Sequence, residues 1–70
     1  MTEFEWREIF VERVRTILYE KNMTQTELCK LIGMSTSAMN HYLSYDKTPS
    51  VNMLLKLCNA LGCTMDKLVV

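Results

Sequence analysis

Glycine and proline, the residues that most readily interrupt a helix, occur only three times in this sequence, as Gly33, Pro49 and Gly62. Gly33 and Gly62 fall where a run of apolar residues at helical spacing stops, and Pro49 falls just before one starts. No stretch alternates apolar and polar residues as a half-buried strand would. The chain therefore reads as all-α. With 70 residues it is expected to be one domain, 1–70, and at 49% hydrophobic and 23% charged it has the composition of a globular chain. A domain this small buries only about 60% of its unfolded surface, so its helices must share one efficient core.

Helix starts are marked by side chains that can accept from free amides. Thr2-Glu3-Phe4-Glu5 has the form of a capping box, and Trp6, Ile9, Phe10, Val14, Ile17 and Leu18 follow at helical spacing. This first helix is expected to fray near Lys21-Asn22. Thr24-Gln25-Thr26-Glu27 is a second capping box, opening a short helix that carries Leu28, Cys29, Leu31 and Ile32. Gly33 follows, suited to the left-handed backbone beyond a helix end, and Met34 leads to Ser35, the expected cap of a third helix from Thr36 to about Leu43. Met39, Tyr42 and Leu43 are its apolar side. Tyr45 to Pro49 has loop composition. Ser50 is expected to cap a fourth helix with Val51, Leu54, Leu55, Leu57, Cys58 and Leu61 in or near the core. Gly62 ends it, and Thr64 starts a last short helix with Met65 and Leu68.

Several function classes are excluded by what is missing. No run of about 18 apolar residues is long enough to span a membrane. The start, Met1-Thr2-Glu3-Phe4-Glu5, lacks the basic-then-apolar pattern of a signal peptide, so a cytoplasmic protein is expected. The cysteines, Cys29, Cys58 and Cys63, form no Cys-x-x-Cys, and His41 stands at no ligand spacing to them. They are expected to pack as small apolar residues, with no metal bound. The six methionines read as core filler. No glycine-rich phosphate loop and no convincing Ser, His and Asp triad is present, so neither an enzyme nor a cofactor is expected.

Two short helices joined by Gly33-Met34-Ser35 form a helix-turn-helix, whose second helix reads DNA from the major groove. The turn needs a left-handed residue, Gly33, and an apolar plug, Met34. A small Cys29 lets the second helix cross closely. The stretch from Met23 to Leu68 resembles the lambda-repressor/Cro-type, or XRE-type, helix-turn-helix family. The resemblance is carried by Met23 to Cys29, Gly33 to Met39, Tyr42, Pro49-Ser50, and Leu54, Leu57, Cys58, Ala60, Leu61, Gly62, Thr64, Asp66 and Leu68. It implies a compact five-helix lambda-repressor-like domain, with the helix-turn-helix made by the second and third helices.

Carried over position by position, the resemblance implies that Gln25 contacts a phosphate. It further implies that Thr36, Ser37, Asn40 and His41 face the bases, with Ser35 beside them and Lys47 gripping the backbone. The chemistry is apt. Asn can pair with adenine N6 and N7, Ser and Thr are permissive hydrogen-bonders, and a helix N-terminus favours an anion. Each residue also has a plainer reading: Ser35, Thr36 and Ser37 as caps or solvated surface, and Lys47 as a loop charge. Two positions depart from the family pattern. Leu18 and Leu43 stand where many members pair an Arg with a Glu, so an apolar contact between them is expected. Tyr45 stands where a Gly is frequent, which implies either strain or a turn rerouted through Asp46.

The expected function is a sequence-specific DNA-binding transcriptional regulator, a repressor. It is expected to place the helix at 36–43 in the major groove of a palindromic operator as a homodimer, without a small-molecule effector. Val69-Val70, Phe4 and Trp6 are candidate dimer surfaces. Two other readings stay open: the antitoxin of a toxin–antitoxin pair, and a helix-turn-helix used only for protein interaction.

Charge shapes the expected mechanism. Eight basic and eight acidic residues cancel, and the stretch from Leu31 to Tyr45 contains no Lys, Arg, Asp or Glu. Phosphate neutralisation supplies most non-specific affinity for DNA. A neutral reading helix therefore predicts weak non-specific binding and a shallow salt dependence. A plot of log K against log salt checks this, and a slope like that of roughly ten phosphate contacts would contradict it.

Overall fold

Helix ends and helix starts account for most of the architecture. A computed structural model describes residues 2–44 and 47–69. Among them run five helices and no strand: α1 (Glu3–Glu20), α2 (Gln25–Ile32), α3 (Thr36–Leu43), α4 (Val51–Leu61) and α5 (Met65–Val69). The expectations placed on Tyr45, Asp46 and Val70, and on the side chains of Phe4 and Val69, lie outside the described residues.

Four helices start on a hydroxyl. Thr2, Thr24, Ser35 and Ser50 accept from the amides of Glu5, Glu27, Ala38 and Met53 at 3.1, 3.1, 3.1 and 3.2 Å. Each such bond satisfies an amide that the helix itself cannot, typically worth about 1 kcal/mol. At α2 the capping box is complete, because the Glu27 carboxylate accepts from the Thr24 amide at 3.1 Å. At α1 the Thr2 half of the expected box is formed.

Three helices end alike. Asn22, Gly33 and Gly62 have φ of 54°, 69° and 64°, and the residue after each donates back across the last turn. Met23 donates to Leu18 at 2.9 Å, Met34 to Cys29 at 3.0 Å, and Cys63 to Cys58 at 3.1 Å. This is the Schellman arrangement, which closes the carbonyls left open at a helix end. The expected fraying at Lys21-Asn22 is thus corrected. Asn22 takes the left-handed position, which Asn tolerates better than most residues, and the end is closed.

The core joins α1 to all the others. Phe10, Val11, Val14, Ile17 and Leu18 from α1 are buried with Leu28, Cys29, Met39, Leu43, Met53, Leu54, Leu57, Leu61 and Leu68. Leu18 and Leu43 are both members of this cluster. α1 packs on α5, α4 packs on α2 and α5, and α2 packs on α3. The radius of gyration is 11.0 Å, matching the ~11 Å that size scaling gives a compact chain of this length.

Some core assignments needed correction. Val11, passed over in the sequence, is buried, as is Met53, which was read only as one of six core-filling methionines, whereas Leu31, Val51 and Leu55 are 60%, 65% and 48% exposed. α2 and α4 carry broad apolar arcs. Only the part turned into the shared core is covered, and Leu31, Val51 and Leu55 fall outside it. Trp6 is half-buried and stacks on Phe10, with ring centroids 6.0 Å apart, so it closes the core.

The turn between α2 and α3 yields a direct test. A Cβ at Gly33 would meet nothing within 4 Å, so the cost of Gly33→Ala is the left-handed backbone alone. We expect a loss of ~1–2 kcal/mol in urea unfolding, and a smaller loss for Gly33→Asn. An unchanged midpoint for the Ala variant would contradict this account of the turn.

Candidate nucleic-acid interface

The interface begins with how α3 is held. Cys29 is buried at the crossing of α2 and α3, and its thiol donates to the Ser35 carbonyl at 3.9 Å. Burial pushes the Cys29 thiol above its usual pKa, so it stays a small neutral packing group. Met34, in the turn, packs against the core. Met39 and Leu43 anchor the inner side of α3. At its C-terminus the Arg15 guanidinium donates to the Leu43 carbonyl at 3.4 Å. This places a cation at the negative end of the helix dipole. That role was not read from the sequence.

Fixing the inner side turns the other side outward. Thr36, Ser37, Asn40 and His41 are all exposed, and their spacing of one, three and one sets them on one face of α3. Gln25, the first residue of α2, is half-buried and joins them: its Nε2 donates to Asn40 Oδ1 at 2.7 Å. The bond spans the helix-turn-helix and fixes the Asn40 amide. One lone pair of Oδ1 is taken by Gln25, and this bond uses neither Asn40 Nδ2–H donor. Sequence reasoning singled out both residues but not their pairing, which no local pattern signals.

The Ser35 hydroxyl accepts from the Ala38 amide as the cap of α3. Its own O–H remains as a donor. The Lys47 ammonium lies 5.7 Å from the centre of the Tyr42 ring, within cation–π range, beside the C-terminal part of α3. The Ser44 hydroxyl donates to the His41 carbonyl at 3.4 Å.

Electrostatics at the α2 N-terminus are more constrained than the sequence alone implies. Hydrogen bonds donated by the Thr24 amide, and then by the Thr24 hydroxyl, hold the Glu27 carboxyl below its usual pKa, so it is ionised there. Glu27 occupies the Thr24 amide, Thr24 Oγ1 takes the Glu27 amide, and the Thr24 carbonyl takes the Leu28 amide. The amides of Gln25 and Thr26 are those left at this helix start for an outside anion.

A helix-turn-helix family model matches residues 12–68. The chain belongs to the helix-turn-helix family. Its fold is similar to the crystal structure of a hypothetical transcription factor from Neisseria, with a TM-score of 0.87 over 100% of this chain and 80% of that one. The two are 18% identical, so the likeness speaks for the fold. No curated protein gives a match. Membership of the helix-turn-helix family supports a DNA-binding transcriptional regulator. Among the described residues of this helix-turn-helix protein, no helix is long and apolar enough to cross a membrane. Also among them, no three His, Cys, Asp or Glu side chains are grouped to hold a metal ion.

Proposed function

We propose that this chain is a non-enzymatic, sequence-specific DNA-binding repressor, acting as a single domain that lays α3 in the major groove of a palindromic operator. The observation that carries the reading is the 2.7 Å Gln25–Asn40 bond, which holds an amide on the exposed face of α3 in one orientation. An amide held in advance loses less freedom on meeting a base. Because that bond occupies its oxygen and not its donors, Asn40 suits an acceptor edge, guanine O6 and N7 or thymine O4, better than the adenine pairing that residue type alone suggests. Thr36, Ser37 and His41 share the groove face. The Gln25 and Thr26 amides, with the Ser35 hydroxyl, take a phosphate on one side, and Lys47 takes one on the other.

We further propose that the operator is bound by a homodimer. Val51 and Leu55, one turn apart on the outer side of α4, are exposed apolar residues suited to a second copy. Trp6, by contrast, is engaged with Phe10 in closing the core. Joining two modules compensates for the few phosphate contacts that each can make.

Selection of bound sequences from a random DNA pool tests the proposal. The expected result is an inverted repeat with half-sites about one helical turn apart. Asn40→Ala should then relax one position in each half-site by ~1–3 kcal/mol, whereas Lys47→Ala should weaken all sequences alike. Absence of any enriched motif would refute specific DNA binding and favour a helix-turn-helix used for protein interaction.

A further inference from the structure

The Schellman ends do more than close carbonyls. In this arrangement the side chain of the residue after the left-handed position meets that of the residue whose carbonyl it bonds. At α1 the pair is Leu18 and Met23, and at α2 it is Cys29 and Met34. At α4 it is Cys58 and Cys63. The same backbone device that elsewhere makes an apolar contact here sets two thiols against each other. Cys63 donates its amide to the Cys58 carbonyl at 3.1 Å across Gly62. Beyond the effect of burial, the Cys63 sulfur adjoins Cys58 closely enough to raise the pKa of the Cys58 thiol. Both are free and half-buried, whereas Cys29 is 2% exposed and faces a methionine.

The two thiols differ in access. Cys63 lines a groove of about 450 Å³ between the end of α1 and the start of α5, together with Glu20, Lys21 and Lys67. Cys58, on α4, does not line that groove. Burial, and then the adjoining Cys63 sulfur, push the Cys58 thiol above its usual pKa.

We propose that Cys58 and Cys63 form a modification site that hydrogen peroxide converts to a disulfide. Cys63, reached through the groove, gives up its proton to solvent and attacks one peroxide oxygen. The O–O bond breaks, the hydroxide that leaves becomes water, and Cys63 becomes a sulfenic acid. The Cys58 sulfur then attacks the Cys63 sulfur. The S–S bond forms, the S–O bond breaks, and the departing oxygen leaves as a second water carrying the Cys58 proton. In sum, two thiols and one peroxide give one disulfide and two waters, and two electrons pass from sulfur to oxygen. The bond locks the end of α4 to the start of α5. It lies away from α3, so its formation is independent of whether the chain binds DNA.

Intact mass and peptide mapping of the reduced, full chain after stoichiometric hydrogen peroxide provide the test. Trypsin cleavage after Lys56 and Lys67 leaves both thiols in one peptide. The expected result is that this peptide loses about 2 Da, reversibly with a dithiol. In Cys58→Ser, a sulfenic-acid trap such as dimedone should label Cys63, and in Cys63→Ser it should leave Cys58 unlabelled. Addition of oxygen to Cys58 or Cys63, distinguished by fragmentation from sulfoxide at Met65, without disulfide formation, or chains crosslinked in pairs, would overturn the proposal. Labelling of Cys58 in Cys63→Ser would overturn the order of attack.

Discussion

The left-handed backbone at Gly33 is the constraint on which the interface depends. It ends α2 without a side chain to clash, sends the Met34 amide back to the Cys29 carbonyl, and delivers Ser35 as the cap of α3. The crossing of the two helices is close because the residue at it is a cysteine, small enough to be buried under the Ser35 carbonyl. Once the crossing is set, Met39 and Leu43 can only point inward, and Asn40 comes within reach of Gln25. The outward face of α3 is thus a consequence of turn chemistry and core packing, not of anything on that face.

That face is neutral, and the structure supplies partial charges in place of full ones. Helix amides at the start of α2, an oriented carboxamide on α3 and hydroxyls at Ser35, Thr36 and Ser37 are the groups it offers. The charged residues nearby are mostly committed. Arg15 holds the C-terminal end of α3, Glu27 closes its own cap, and Lys47 lies over Tyr42. A surface of this kind selects by hydrogen-bond direction more than by attraction to phosphate. It also gives each subunit little affinity of its own, which is why the exposed apolar pair Val51 and Leu55 matters to the proposed dimer.

Most of the fold was legible because it is written in short-range chemistry. Thr2, Thr24, Ser35 and Ser50 are caps in the structure as in the sequence, and Gly33 and Gly62 take the left-handed positions they suggest. What sequence could not show depends on tertiary contact. Leu31, Val51 and Leu55 have the same character as their buried neighbours, and only the docking of α2 and α4 decides which stripe is covered. Asn22 replaces glycine at a helix end, where composition suggested fraying. The family resemblance named the candidate site residues as a set, and of these Thr36, Ser37, Asn40 and His41 are exposed on α3. The bond between Gln25 and Asn40 was not legible, since the two lie 15 residues apart in the chain, on different helices.

The most direct measurement of the central claim is backbone amide mapping by NMR, on the isotope-labelled chain titrated with the duplex that selection enriches. The account predicts that the largest shifts fall at Gln25, Thr26 and along Thr36 to His41, with Lys47 next and the middle of α4 unmoved at fixed oligomeric state. Shifts centred on Val51 and Leu55, with α3 unchanged, would contradict the claim that α3 is the reading helix.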